Sequence, residues 1–284
     1  MKFNRAPFPY FGGKSKIAHI VWDYFGDIKN YVEPFFGSGA VLLSRPNYKP
    51  SFIETVNDLD GYLCNFWRAI KYDPEKVAFY ADFPVSEIEQ QARLRYLLKY
   101  KAVINEFLIE DPQKYNAKLA GYWVYGICTW IGSGYLKKYT KQLPYLGNPG
   151  RGIHGMRIYD KIYEWFEWLS SRLRRVRVTC GDWKRVCTPT VTYKLKKTGL
   201  FLDPPYSVKD RSTIYLKDSH NLNQDIEKYC LEHQDKMKIV LCGYEGEYNL
   251  PGWTKLKWPG NKGMAKNNNR YRERIWINVG TFEA

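Results

Sequence analysis

The 284-residue chain has little of what a secreted, metal-bound or membrane-spanning protein needs. Its six cysteines (Cys64, Cys128, Cys180, Cys187, Cys230, Cys242) form no CxxC pair, and its four histidines (His19, His154, His220, His233) lie in no ligand pattern with them. Reduced thiols, a cytoplasmic setting and no metal are therefore expected. The segment Met1 to Pro7 lacks the apolar core of a signal peptide. Long hydrophobic runs are missing with one exception, Leu119 to Leu136, which carries no charge but holds Gly121, Gly126, Gly132 and Gly134 among Tyr, Ser and Thr residues. It reads as a buried helix entering a glycine loop rather than a membrane span. No internal repeat is evident. Acidic residues are also scarce, 29 against 44 Lys and Arg, for a net charge of +15. Such an excess favours a polyanionic partner, nucleic acid foremost, because neutralising phosphates releases condensed counterions. The plainer alternative is a soluble basic protein with no such partner.

The hydrophobic content of 44% is enough for one large α/β domain with a smaller insertion. Aromatics reach 17%, with 24 Tyr and 10 Trp; most fill a core, although rings interleaved with basic residues are also what base stacking requires. Along the chain, Lys14 to Phe25 has helical apolar spacing and Tyr31 to Phe35 reads as a strand. A glycine turn and a helix over Ala40 to Leu43 follow. Ser51 to Val56 is a second strand, and Tyr62, Leu63, Phe66, Trp67 and Ile70 mark an amphipathic helix. Ser86 to Phe107 is strongly helical, Lys137 to Gly155 is rich in Gly, Pro, Tyr and Lys, and Ile158 to Leu173 is helical again. Strands are expected at Arg174 to Val178, Gly199 to Leu202, Lys238 to Cys242 and Arg274 to Val279, with a helix at Asn223 to Glu232. Strands alternating with helices on both sides of an inserted segment predict a mostly parallel sheet with helices on its faces.

Two segments carry chemistry. Asp203-Pro204-Pro205-Tyr206 follows the apolar run Gly199 to Leu202. The prolines fix φ and remove competing donors, so the Asp203 carboxylate and the Pro204 carbonyl become paired acceptors at a strand end, with Tyr206 offering a ring face. An aromatic amine is a poor nucleophile because its lone pair is delocalised; two acceptors on one NH₂ stabilise the pyramidal geometry in which that pair becomes available. Inside a duplex such an amine is inaccessible, so its base must be extruded and restacked. A plain proline turn after a strand is the alternative. The second segment, Glu33-Pro34-Phe35-Phe36-Gly37-Ser38-Gly39, is a glycine turn through which a cofactor can approach the backbone, or simply a turn that opens a helix. Asp58 follows Gly39 at the ~20-residue spacing of a ribose-binding acid, although Asp58 or Asp60 can equally cap the next helix. Asp182 can accept from a cofactor's adenine amine or be an unremarkable loop acid.

In this order the segments resemble the Dam-type, D12-class N6-adenine DNA methyltransferases. Tyr10 with Phe11-Gly12-Gly13-Lys14 is similar to the family's first motif, Glu33 to Gly39 to its cofactor loop, Asp58 to its ribose-binding acid, Asp182 and Trp183 to its cofactor-adenine motif, and Asp203 to Tyr206 to its catalytic motif. Glu273 to Asn278 looks like its last strand. The resemblance implies a Rossmann-like, seven-stranded mixed sheet over 1–72 and 176–284, with a mostly helical target-recognition insertion over 73–175. It implies S-adenosylmethionine held by Tyr10, Gly12, Gly13, Lys14, Glu33, Pro34, Phe35, Gly37, Gly39, Asp58, Asp182, Trp183 and Asp203. Catalysis would fall to Asp203, Pro204, Pro205 and Tyr206, acting on an adenine flipped from double-stranded DNA by a monomer or weak dimer in a bacterial or phage-infected cell. Lys137, Lys138, Tyr139 and Arg151 are expected to contact DNA. Lys262, Lys266, Arg270 and Arg272, in a basic, amide-rich loop, would grip phosphates if that loop is not simply solvated. Two positions depart from the family: Pro9 stands where many GATC-specific enzymes have lysine, so that specificity is not carried over, and Asp60 stands where asparagine is common. The rival readings are N4-cytosine methylation and a non-catalytic DNA-binding protein on a vestigial fold.

Overall fold

The computed structural model describes residues 5–10, 13–111, 113–132, 135–146, 152–155, 161–206, 222–258, 271–280 and 282. Helix α1 (Ala18–Phe25) leads into strand β1 (Asn30–Glu33), the glycine turn, and the short helix α2 (Ala40–Leu43). Strand β2 (Ile53–Asp58) precedes α3 (Gly61–Tyr72), whose first turn is capped by the Asp60 carboxylate accepting from the Tyr62 and Leu63 amides. Five helices follow: α4 (Pro74–Ala81), α5 (Glu87–Tyr100), α6 (Ile104–Ile109), α7 (Ala117–Cys128) and α8 (Ile162–Leu173). The chain then forms β3 (Val176–Cys180), a 3₁₀ turn (Trp183–Val186), β4 (Thr198–Leu202), α9 (Leu222–His233), β5 (Lys238–Tyr244), β6 (Thr254–Lys257) and β7 (Glu273–Ile277).

The seven described strands form one sheet in the order β3-β2-β1-β4-β5-β7-β6. Pairing is parallel from β3 across to β5, whereas β7 runs antiparallel to both β5 and β6. Strands β1, β4 and β7 are buried throughout, as expected of strands covered on both faces. The strand β6, absent from the sequence expectation, is mostly exposed and carries Lys255 and Lys257, the pattern of a charged sheet edge. The helix expected over Ser86 to Phe107 is broken in two by a turn at 101–103. No glycine or proline marks the break, so the apolar spacing gave no sign of it.

Sheet order decides where a ligand can sit. Chain order runs outward from β1 to β2 on one side, while β4 lies on the other, so the loops leaving the carboxyl ends of β1 and β4 diverge and open a crevice. Register aligns Val32 with Leu200, which brings the turn after Glu33 beside the turn after Leu202.

The helices between β2 and β3 share the sheet's core. Phe66 and Trp67 of α3 pack with Phe8, Trp123 of α7 and Phe166 of α8 in one buried cluster. Where the chain departs from α3 and where it returns in α8, polar anchors join the two ends. Ser170 Oγ donates to the Lys71 carbonyl at 3.0 Å. Arg172 makes two bonds to the buried Glu54 of β2, at 2.6 and 3.0 Å, and Arg45 a third at 2.9 Å. The same guanidiniums also satisfy the carbonyls of Leu42 and Ile28, which is what allows the charges to be buried.

Candidate active site

The crevice is a cavity of about 220 Å³ that both turns line. From the N-terminal segment it receives Tyr10, Gly13 and Lys14; from the glycine turn Glu33, Pro34, Phe35, Phe36, Gly37 and Ser38; and from the Asp-Pro-Pro-Tyr turn Asp203 and Pro205. Asn57, Asp58, Gly181, Asp182 and Trp183 complete the end beside β2 and β3. Gly39, Pro204 and Tyr206 are not among the lining residues. Gly12, Arg151, Lys262, Lys266 and Arg270 lie outside the described residues.

The glycine turn owes its shape to Gly37 (φ +50°) and Gly39 (φ +67°), both in the left-handed region. A Cβ on Gly37 would stand 2.9 Å from the Tyr10 ring, and one on Gly39 2.7 Å from the Phe36 ring. Gly39 thus serves the turn, while Gly37 opens its backbone to the cavity. Asp58 fastens the turn by accepting from the Gly37 amide at 2.9 Å on one oxygen and from the Asp60 amide at 3.0 Å on the other. Burial pushes the Asp58 carboxyl up to about 6, partly offset by those amides. The two capping candidates separate here: Asp60 caps α3, and Asp58 faces the cavity.

Asn57, which sequence reasoning passed over, ties three segments together. Its Nδ2 donates to the carbonyls of Pro34 (3.1 Å) and Gly181 (2.8 Å), and its Oδ1 accepts from Thr179 at 2.8 Å. Its only sequence signal was adjacency to Asp58. Asp182 caps the 3₁₀ turn by accepting from the Lys184 amide at 2.8 Å. The Trp183 indole lies 6.1 Å from the Phe35 ring, inclined by 31°, so the two form an aromatic wall. At the mouth, Lys184 pairs with Asp225 at 2.7 Å.

At the other end, Asp203 Oδ1 takes the Lys14 ammonium at 3.0 Å and the Tyr206 hydroxyl at 3.1 Å. Burial raises the Asp203 carboxyl, and the Lys14 charge opposes that rise. Lys14 is itself buried; its ionisation is shifted upward because the neighbouring carboxylates Asp203 and Glu273 outweigh its desolvation. The Tyr206 ring is buried, 4.6 Å from Tyr244 in an edge contact and 5.0 Å from the Lys14 ammonium. The hydroxyl of Tyr31 donates to the Glu33 carboxyl at 2.8 Å, and burial raises that carboxyl well above its ordinary range.

The expected DNA contacts scatter. Lys138 is exposed and Lys137 half-buried, whereas the Tyr139 hydroxyl donates to Gln91 at 2.8 Å and its ring lies under the Arg95 guanidinium. Arg272 is exposed and lies 5.3 Å from the Tyr244 ring, which itself packs on Tyr206. Among the described residues no His, Cys, Asp and Glu cluster could hold a metal, and no helix is long and apolar enough to cross a membrane.

A seven-stranded sheet with one reversed strand and a crevice at its switch point is the α/β methyltransferase fold. Residues 10–133 match the family described as D12 class N6 adenine-specific DNA methyltransferase. The chain is also 25% identical over 225 residues to the Type II methyltransferase M.MjaIII of Methanocaldococcus jannaschii, covering 72% of this chain and 70% of that protein. The chain is thus similar, over residues 10–133, to adenine-specific DNA methyltransferases of the D12 class and, over most of its length, to a Type II methyltransferase.

Proposed function

We propose that the protein transfers the methyl group of S-adenosylmethionine to the N6 amine of an adenine flipped out of double-stranded DNA. The observation that carries this reading is the single cavity lined by both Gly37 and Asp203, which lie on turns far apart in the chain. The cofactor suits that cavity chemically. Glu33, Asp58, Asp182 and Asp203 all line it in a chain whose net charge is +15. An acidic pocket in a basic protein favours a small cation, and S-adenosylmethionine carries a sulfonium and an ammonium. When bound, it supplies an electrophilic methyl group.

The chain's own residues do the rest. Phe35 and Trp183 offer apolar faces for an adenine ring, Asp182 an acceptor for its amine, and Asp58 an acceptor for ribose hydroxyls. Asp203 and the Pro204 carbonyl hold the target amine as positive charge builds on its nitrogen, and the proton leaves to water once the nitrogen is quaternary. Tyr206 stacks on the base, after Tyr244 and Lys14 have given way. Arg272 and Lys138 supply phosphate contacts, and the helical segment over 73–175 reads the target site.

Incubating the protein with duplex DNA and methyl-labelled S-adenosylmethionine, followed by nucleoside mass spectrometry, tests the proposal. N6-methyladenine is expected. N4-methylcytosine would transfer the chemistry to the other base, and no label in any DNA would return the chain to a non-catalytic binder.

A further inference from the structure

The two ends of the sheet differ in charge. Acids gather in the cavity at the carboxyl ends of β1 and β4, where Glu33, Asp58, Asp182 and Asp203 line it. The amino ends carry cations. Register extended by one or two residues before each strand puts Arg174, Phe52, Lys29, Lys197 and Lys236 in one row across β3, β2, β1, β4 and β5. Backbone bonds hold the centre of that row: the Lys29 amide donates to the Lys197 carbonyl at 3.0 Å, and the Ile53 amide to the Lys29 carbonyl at 2.9 Å. The Lys29 ammonium stands over the ring of Phe52, its neighbour in the row, at 5.3 Å.

Over the approaches to these strands, 26–29, 46–52, 174–175, 193–197 and 234–237, eight Lys and Arg residues stand against two acids, Asp27 and Asp235. Lys197 holds Asp27 at 2.8 Å. Arg174, Lys29 and Lys236 of the row are exposed, as are Lys49, Lys194 and Lys196 beside it. Helix C-termini attract cations within a turn, which accounts for Arg174 directly after α8. Lys194 and Lys196 stand well past the nearest preceding helical turn, which ends at Val186. Lys238, by contrast, is spent inside the fold, donating to the carbonyls of Tyr24 and Phe25 at 2.6 and 3.2 Å. A row of like charges repels itself, and a polyanion relieves it.

We propose that the amino edge of the sheet is a second contact surface for duplex DNA, used while another segment lies at the cavity. Five strands at ~4.8 Å spacing span about 19 Å, a stretch of duplex that carries about eleven phosphates at one charge per ~1.7 Å. None of the row lines the cavity. The five residues of β4, about 17 Å of strand, separate the two ends, so both can be occupied at once. A protein held at both ends passes from one DNA segment to another without being released. That the polyanion is duplex DNA rests on the methyl-transfer reading; the charged edge itself does not.

Retention of a second, fluorescent duplex by protein already bound to a bead-tethered duplex, without cofactor, tests this. The triple variant Arg174→Gln, Lys29→Gln and Lys236→Gln should lose the second duplex, its affinity falling at least about tenfold. Its plot of log affinity against log salt should be shallower by about 2.7, at ~0.9 per phosphate contact. A control carrying Lys76→Gln, Lys228→Gln and Lys255→Gln removes equal charge from exposed positions elsewhere and should retain the second duplex. Methyl transfer to a short duplex should keep its wild-type rate in both. Retention by the first variant, equal loss in the control, a matching fall in short-duplex transfer, or tighter binding of the edge to an RNA hairpin or to phosphatidylserine vesicles than to duplex DNA overturns the proposal. Wild type that holds two duplexes and methylates neither sinks the methyl-transfer reading and upholds the surface. Wild type that methylates but holds only one duplex overturns the surface alone.

Discussion

Replacing Asp203 by Asn separates the duty that the structure shows for this residue, holding a buried cation, from the one proposed for it, holding the substrate amine. The amide keeps the size and one acceptor but removes the charge 3.0 Å from an ammonium that is 3% exposed. Stranding one member of a buried ion pair typically costs ~3–5 kcal/mol. Lys14 retains Glu273 at 4.0 Å, so the lower end, about 3 kcal/mol, applies. For a chain of this size that corresponds to a fall in Tm of about 6–12 °C. Adding Lys14→Met removes the stranded charge, so the double variant should regain most of that Tm. Methyl transfer should behave differently. Loss of one preorganised electrostatic partner in a catalytic site lowers rate by ~10²–10³-fold, and restoring stability does nothing to restore the acceptor. Differential scanning calorimetry and a radiolabelled methyl assay on wild type, single and double variants give both quantities. The reasoning fails if the double variant recovers transfer along with stability, because Asp203 would then matter only as a counter-ion, or if Asp203→Asn turns over at the wild-type rate.

Cofactor affinity should strengthen as pH rises through about 6, where the buried Asp58 carboxyl ionises and becomes a full acceptor for hydroxyl donors; calorimetric titration should show this, and Asp58→Asn should remove the dependence. The same group lowers stability over that rise, because the folded protein keeps a proton that an unfolded chain releases near ~4. Gly37→Ala and Gly39→Ala should each cost about 1–3 kcal/mol in unfolding measurements, since both place a side chain in the left-handed region and against an aromatic ring; Gly37→Ala should also weaken cofactor binding, as its Cβ meets the cavity-lining Tyr10 ring. Glu54→Gln should lower the chemical unfolding midpoint by the equivalent of about 3–5 kcal/mol, because it leaves Arg45 and Arg172 buried together without a counter-ion; an unchanged midpoint would show that the guanidiniums find other partners.

The centre of the sheet was legible because strands buried on both faces must be written as apolar runs, as in Gly199 to Leu202 and Lys238 to Cys242. The edge was not: Thr254 to Lys257 buries too little to leave a pattern. Motif order placed Gly37 and Asp203 in one cavity, because sheet order and register bring together turns that sequence separates. What sequence lacked was partnership. Nothing local says that Lys14 bonds Asp203, that Glu273 stands behind Lys14, that Asn57 links three segments, or that Tyr206 is stowed against Tyr244, since each pairing joins residues from different strands or loops. Asp58 and Asp60 were both visible as candidates, and only their partners divided their work, the Gly37 amide for Asp58 and the Tyr62 amide for Asp60.

The fastening of Ser170 to Lys71 and of Arg172 to Glu54 has a consequence for how such an enzyme changes its target. A chain stitched together where a long excursion leaves and where it comes home can be rewritten in between without loosening the hem. Lengthening the exposed stretches around 101–103 or 137–146 adds only the slowly growing entropy of a longer closed loop. Under the proposed function, the letters read on DNA are thus free to drift while the floor of the cavity between the two turns keeps its shape.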